Sequence, residues 1–165
     1  MSRHIAMPSG SCLRTIGALS HRVQERLPVQ GHLNVRRRIC IAHLLDTWAW
    51  IQYFDAPDHE IVDLVESPDT TYTSIITITE VANVFTRNLS AVEARRAIDA
   101  IYSLSSIIPV DKAIALRAGL YTRAEFEGGI ADRLILATAE LNDLTVVTGD
   151  QHFKGHAGVR FLRKK

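Results

Sequence analysis

The chain has 165 residues, room for one ordinary domain and too few for two. Hydrophobic residues make up 47% and charged residues 22%, near the globular average, which excludes a disordered or fibrous chain. No apolar run approaches the ~20 residues that cross a bilayer, and two cysteines, Cys12 and Cys40, make neither a disulfide framework nor a four-ligand zinc site. With no secretory pattern, a cytoplasmic protein without a membrane is the expectation. The net charge of +1 hides an asymmetry: residues 1–40 carry seven arginines against Glu25, a net +6, and the remainder carries 12 bases and 17 acids, a net −5. Four of those bases lie in the last six residues.

Residues 1–38 read as a basic extension, poorly ordered or a single helix. Leu13, Ile16, Leu19, Val23 and Leu27 fall near helical spacing and stop before Pro28. The composition suits a transit peptide, a basic appendage or an extended gene start, and does not choose among them. Residues 39–165 read as the folded domain. Its first strand is Ile39 to Leu45, ending on Asp46. A second run, Tyr72 to Ile76, is β-branched and aromatic. A third, Ile107-Ile108-Pro109-Val110, carries a proline that suits a sheet edge. Leu144 to Thr148 is a fourth and Val159 to Leu162 a fifth. Helical stripes lie between them: Val81, Val84 and Phe85; then Ala94, Ile98, Ile101 and Tyr102; then Ile130, Leu134, Ala137, Thr138 and Leu141. Strands alternating with helices, and apolar on both faces, predict a parallel sheet covered on both sides.

In such sheets a ligand site lies beyond the carboxyl ends of the strands, near a switch in strand order. Four acids fall where that rule places a site. Asp46 closes the first strand, Glu80 lies about one turn into the helix after the second, Asp132 sits in the first turn of the helix opened by Gly128-Gly129, and Asp150 follows the fourth strand. Four ionised acids in one place repel each other, and a divalent cation removes the penalty. Oxygen donors suit magnesium or manganese. Each acid also has a structural reading. Asp46 suits a helix N-cap, Thr77-x-x-Glu80 a capping box, Asp132 a helix dipole, and Thr148-Gly149-Asp150 a turn with positive φ at the glycine.

The order of these motifs resembles the PIN-domain ribonucleases, and among them the VapC toxins of prokaryotic toxin–antitoxin pairs. The likeness spans about residues 39–162 and rests on Leu44-Leu45-Asp46-Thr47-Trp48-Ala49-Trp50, Ser74 to Val81, Ile130 to Ala139, and Val146 to Asp150 with Phe153 and Gly155. The resemblance implies a three-layer α/β/α sandwich around a parallel sheet of four or five strands. It also implies a catalytic quartet of Asp46, Glu80, Asp132 and Asp150, with Asp46, Asp132 and Asp150 holding Mg2+ (or Mn2+). Thr47 and Thr148 match positions where the family places a hydroxyl beside the site. RNA as substrate, a small VapB-like antitoxin offering a basic side chain to the carboxylates, and a homodimer follow from the same likeness. Residues 1–38 have no counterpart in it.

Among the other residues, the seven histidines show no ligand spacing with an acid or cysteine, and the glycines around His152 and His156 point to a loop. Trp48, Trp50, Tyr53 and Phe54 are expected in the core or a dimer contact rather than as base-stacking platforms. Arg160, Arg163, Lys164 and Lys165 suit either a solvated chain end or RNA phosphates. The alternative to a nuclease is a non-catalytic RNA-binding or assembly module that keeps the fold.

Overall fold

The structure, a computed structural model, describes residues 42–66 and 71–163. The expected basic extension, Cys12, Cys40, the first residues of the first strand and Lys164–Lys165 lie outside the described residues. Five strands form one wholly parallel sheet: β1 (His43–Leu45), β2 (Thr71–Ser74), β3 (Ser106–Ile108), β4 (Thr145–Thr148) and β5 (Val159–Phe161), in the order β3-β2-β1-β4-β5. Six α-helices connect them: α1 (Thr47–Asp55), α2 (His59–Val65), α3 (Ile75–Asn88), α4 (Ala91–Leu104), α5 (Lys112–Leu120) and α6 (Ile130–Leu141). A 3-10 turn, Gln151–Phe153, follows β4. The proline-bearing third run is indeed at a sheet edge.

The three layers follow from the two-residue period of the central strands. Leu45 and Val147 face one side and pack with Trp50, Tyr53, Phe54, Ile61, Val81, Phe85 and Ile101, from α1 to α4. Their neighbours Leu44 and Val146 face the other side and meet Ile114 of α5, Ile135 and Leu136 of α6, and Phe126 and Phe153. Residues apolar at both parities are what a doubly covered sheet requires. Right-handed crossovers then assign the faces. The chain builds β1, β2 and β3 outward in one direction through α1–α4, and returns to the other side of β1 through α5 and α6.

Two boundaries depart from the sequence expectation. The second strand ends at Ser74, and Ile75 and Ile76 already belong to α3, because the Ser74 hydroxyl accepts the Ile76 N–H at 3.3 Å and starts the helix there. Thr77 is therefore inside the helix, so the capping-box reading of Thr77 and Glu80 falls, and Glu80 is the sixth helical residue. The aromatic group after Asp46 is core, as expected for Trp50, Tyr53 and Phe54, which are fully buried and in mutual ring contact. Phe54 also meets Phe85 edge-on at 5.5 Å, tying α1 to α3. The Trp50 indole N–H donates to Thr73 Oγ1 at 3.1 Å, so even its polar atom is satisfied by β2. Among the described residues no helix is long and apolar enough to cross a membrane.

Phe54→Ala should destabilise the protein by about 3–5 kcal/mol, since it opens a cavity where three other rings and two helices meet. Urea unfolding checks this, and a loss below about 1 kcal/mol would show that α1 is not seated as described.

Candidate carboxylate active site

The strand order reverses at β1: β2 lies on one side and β4 on the other, so their carboxyl ends leave a crevice. Asp46 stands at its mouth. Its N–H donates to the Val147 carbonyl at 3.1 Å, extending the β1–β4 ladder by one residue. Although Asp46 occupies the N-cap position of α1, its side chain makes no capping bond to that helix. Instead its Oδ2 accepts the Thr148 hydroxyl at 2.7 Å, and the group is 4% exposed. The cap explanation accounts for the position of Asp46 but not for its side chain.

Glu80 reaches the same place from α3, which packs against both α1 and α6. Its Oε2 accepts the Thr47 hydroxyl at 2.6 Å. Asp132 enters from the first turn of α6, 2% exposed, and its Oδ2 accepts the Gly129 N–H at 2.8 Å. Gly129 has no side chain to return that bond, so this is half of a capping box. Helix capping is thus a real role of Asp132, and it engages one of the two oxygens. Thr47 and Thr148 were expected beside the site; each holds a carboxylate.

Burial raises the Asp46 carboxyl to about 7, with the charges of Glu80 and Asp132 adding to the rise and the bonds from Thr148 and the Thr47 backbone opposing it. That balance brings three acids of the quartet, from three elements, into electrostatic reach of one another. Asp150 is connected differently. Its N–H donates to Thr148 Oγ1 at 3.0 Å, while its Oδ1 accepts the His152 N–H at 3.0 Å and lies 2.7 Å from His152 Nδ1. The turn reading of Thr148-Gly149-Asp150 is half right: a turn is present, but Gly149 is not among the positive-φ residues. Glycine serves there because a Cβ would lie 2.5 Å from the Trp48 ring.

The donor chemistry suits a hard divalent cation: oxygen ligands and excess negative charge, with two of the acids, Asp46 and Asp132, buried and Glu80 and Asp150 half-buried. Deeper on α3, Thr77 Oγ1 is fully buried without a hydrogen-bond partner, one turn below Glu80 and on the same helix face. Thr79 and Thr138 bond back to the carbonyl four residues earlier, at 3.3 and 2.7 Å. Thr77 has only strand β2 at that offset. Among the described residues no three His, Cys, Asp or Glu side chains stand together as a ligating group. The hydroxyls, the Gly129 amide and His152 hold individual carboxylate oxygens in their present directions. The sequence reading missed the Asp150–His152 pair, because it searched for metal spacing and discounted His152 as a loop residue.

A pH effect follows. In the folded protein Asp46 keeps its proton up to about pH 7, against an unperturbed value of 3.8. Its favourable contribution is therefore complete below about pH 4 and is lost as pH rises through about 7. In EDTA, Asp46→Asn should gain stability relative to wild type across that window, by at most about 4 kcal/mol. Urea melts at stepped pH measure the difference, and one that does not vary with pH contradicts the assignment.

No curated protein sequence is similar enough to match the chain. Solved structures are. A toxin–antitoxin complex from Klebsiella pneumoniae is 29% identical, with a TM-score of 0.58 over 72% of this chain and 96% of that one. FitAcB from Neisseria gonorrhoeae is 26% identical, with a TM-score of 0.59 over 73% and 96%. A VapC toxin from Mycobacterium tuberculosis that cleaves the sarcin-ricin loop is 19% identical and shares the fold, with a TM-score of 0.59 over 72% and 99%. The PIN domain family model matches residues 43–159, most of the chain and every element of the site. The chain belongs to the PIN domain family.

Proposed function

We propose that the protein is a metal-dependent endoribonuclease toxin of the VapC type. The observation that carries this reading is the group of Asp46, Glu80 and Asp132 at the β1–β4 crevice, with Asp46 pushed up to about 7 by burial and by its acidic neighbours. Acids packed closely enough to raise the pKa of a buried carboxyl are a common mark of a functional site. Asp46, Asp132 and Asp150 would hold Mg2+ or Mn2+, which when bound supplies charge neutralisation at the phosphate and an acidified water. Glu80, fixed by Thr47, orients the water that attacks phosphorus. Attack opposite the bridging 3′ oxygen breaks the P–O3′ bond, and the proton taken from water balances the departing oxyanion. The products are a 5′-phosphate and a 3′-hydroxyl.

The likeness to a toxin–antitoxin complex at 29% identity supports an antitoxin as partner. An arginine or lysine from such a partner would satisfy the same carboxylates and shut the site. We also read the protein as a homodimer, and residues 1–38 as an appendage outside the nuclease domain. The absence, among the described residues, of a ready ligating group favours one competitor, a PIN-fold module that binds RNA without cutting it.

RNA cleavage in Mg2+ separates the two. Wild type should cut, while Asp46→Asn and Asp132→Asn should show no detectable activity. Thr148→Val, which frees Asp46 and Asp150 together, should lose about 10–100-fold. Equal activity in all four proteins refutes the site. Deleting residues 1–38 should leave cutting intact; loss of RNA binding on that deletion, with no cutting by any form, would favour the binding module.

A further inference from the structure

Between the loop that leads into α6 and the turn after Asp150 lies an open, solvent-facing cavity of about 410 Å³, at the lower end of the range of ligand pockets, about 300–1,000 Å³. Two loops wall it. One holds Arg123, Phe126 and Glu127 and runs into the first turn of α6, where Asp132 sits. The other is the turn from Gln151 to His156, which begins on Asp150. The cavity therefore lies between the approaches to two members of the quartet.

We propose that this cavity takes one nucleoside of single-stranded RNA next to the phosphate being cut, with the His156 ring, backed by the buried Phe126, as its aromatic wall and Gln151 at the base edge. The inference rests on the ribonuclease reading and names a specificity site for it. Three features point to a nucleoside. First, the His156 ring is seated on core aromatics: it meets the buried Phe126 edge-on at 5.7 Å, and Phe126 packs against Phe153 at 5.1 Å. His156 Nδ1 lies 2.7 Å from the Ala157 carbonyl, which can only accept, so that nitrogen carries a proton. Bases of single-stranded RNA are held on such rings.

Second, the polar lining mixes donors and acceptors. Gln151 offers both, Glu127 accepts, and Arg123 and Lys154 donate. A site for a bare anion would not include carboxylates, whereas a base edge presents both kinds of group. The other acid, Glu125, is turned toward the Thr122 N–H and hydroxyl, at 2.8 and 2.7 Å. The cations also argue against the basic antitoxin side chain proposed for the neighbouring carboxylates. Third, the cavity is joined to the site. His152, on its rim, bonds Asp150; the Asp150 N–H bonds Thr148 Oγ1; and Thr148 bonds Asp46. An occupant of the cavity is thereby held at a fixed offset from the reacting phosphate.

The test uses full-length wild type, Gln151→Ala, His156→Ala, Lys154→Ala and a distant control, Arg96→Ala. Fluorescein-labelled hexaribonucleotides of A, C, G or U are titrated in EDTA, so that nothing is cut, and read by anisotropy. Gln151→Ala and His156→Ala should bind the preferred oligomer about tenfold more weakly and level the four affinities. Lys154→Ala should weaken all four alike and reduce the salt dependence by about one phosphate contact. Arg96→Ala should match wild type. In Mg2+, sequencing the cut ends should show that Gln151→Ala loses base preference at a single position beside the cut. RNA affinities and cut-site preferences equal to wild type in every variant overturn the proposal. So does unchanged RNA binding with loss of a co-expressed antitoxin, which would make the cavity a protein-docking site. Base-selective binding lost as expected, without any cutting by wild type, upholds the cavity and refutes the nuclease reading. Cutting with no difference among variants does the reverse.

Discussion

The hydrogen bond from Thr148 to Asp46 joins residues 102 positions apart in the chain, and the site depends on it. It forms only if β4 lies beside β1 in the observed register, with Leu45 opposite Val147. A shift of one residue would turn Val147 into the crevice and Thr148 toward a helix layer. The apolar alternation of Leu44 and Leu45 with Val146 and Val147 thus does two things at once: it packs both faces of the sheet, and it aims one hydroxyl at one buried carboxylate. Fold stability and site geometry share a single register.

Burying Asp46 works against folding once its proton is lost, and the surroundings reduce that cost only in part. Thr148 and the Thr47 amide favour the charge, while desolvation, Glu80 and Asp132 oppose it more strongly. The other acids are eased in different ways: Glu80 by a hydroxyl, Asp132 by a helix-terminal amide, and Asp150 by an amide and an imidazole. A hydroxyl or backbone amide steadies a carboxylate without cancelling its charge, which is the condition the proposed cation site needs.

Much of this was legible in the sequence because it depends on position along the chain. Strand and helix periods placed five strands, and an acid just past a strand or at a helix start needs no tertiary information to be noticed. The parts that were not legible involve partners. Nothing local tells that Thr47 serves Glu80, 33 residues away, since the same threonine would suit a helix start anywhere. The end of β2 was misread because Ile75 and Ile76 favour strand by propensity, and the Ser74 cap overrode that preference. His152 was discounted because metal spacing was the wrong filter; its bond to Asp150 is an i to i+2 contact made by a turn, visible only once the turn is known.

A structural role for an acid does not exclude a chemical one, and Asp132 caps α6 at the position where the proposed site needs a carboxylate. One oxygen caps α6 through Gly129, and a side chain anchored in this way loses less freedom when it engages a ligand. Asp46 follows the same logic through Thr148, and Glu80 through Thr47. Each acid approaches the crevice with one end already fixed to a different element, β4 for Asp46, α1 for Glu80 and the α6 start for Asp132. In the proposed nuclease, a cation would therefore be met by anchored side chains rather than by free ones. Asp150 is anchored within its own turn: as the N-cap of Gln151–Phe153, it turns its Oδ1 to His152.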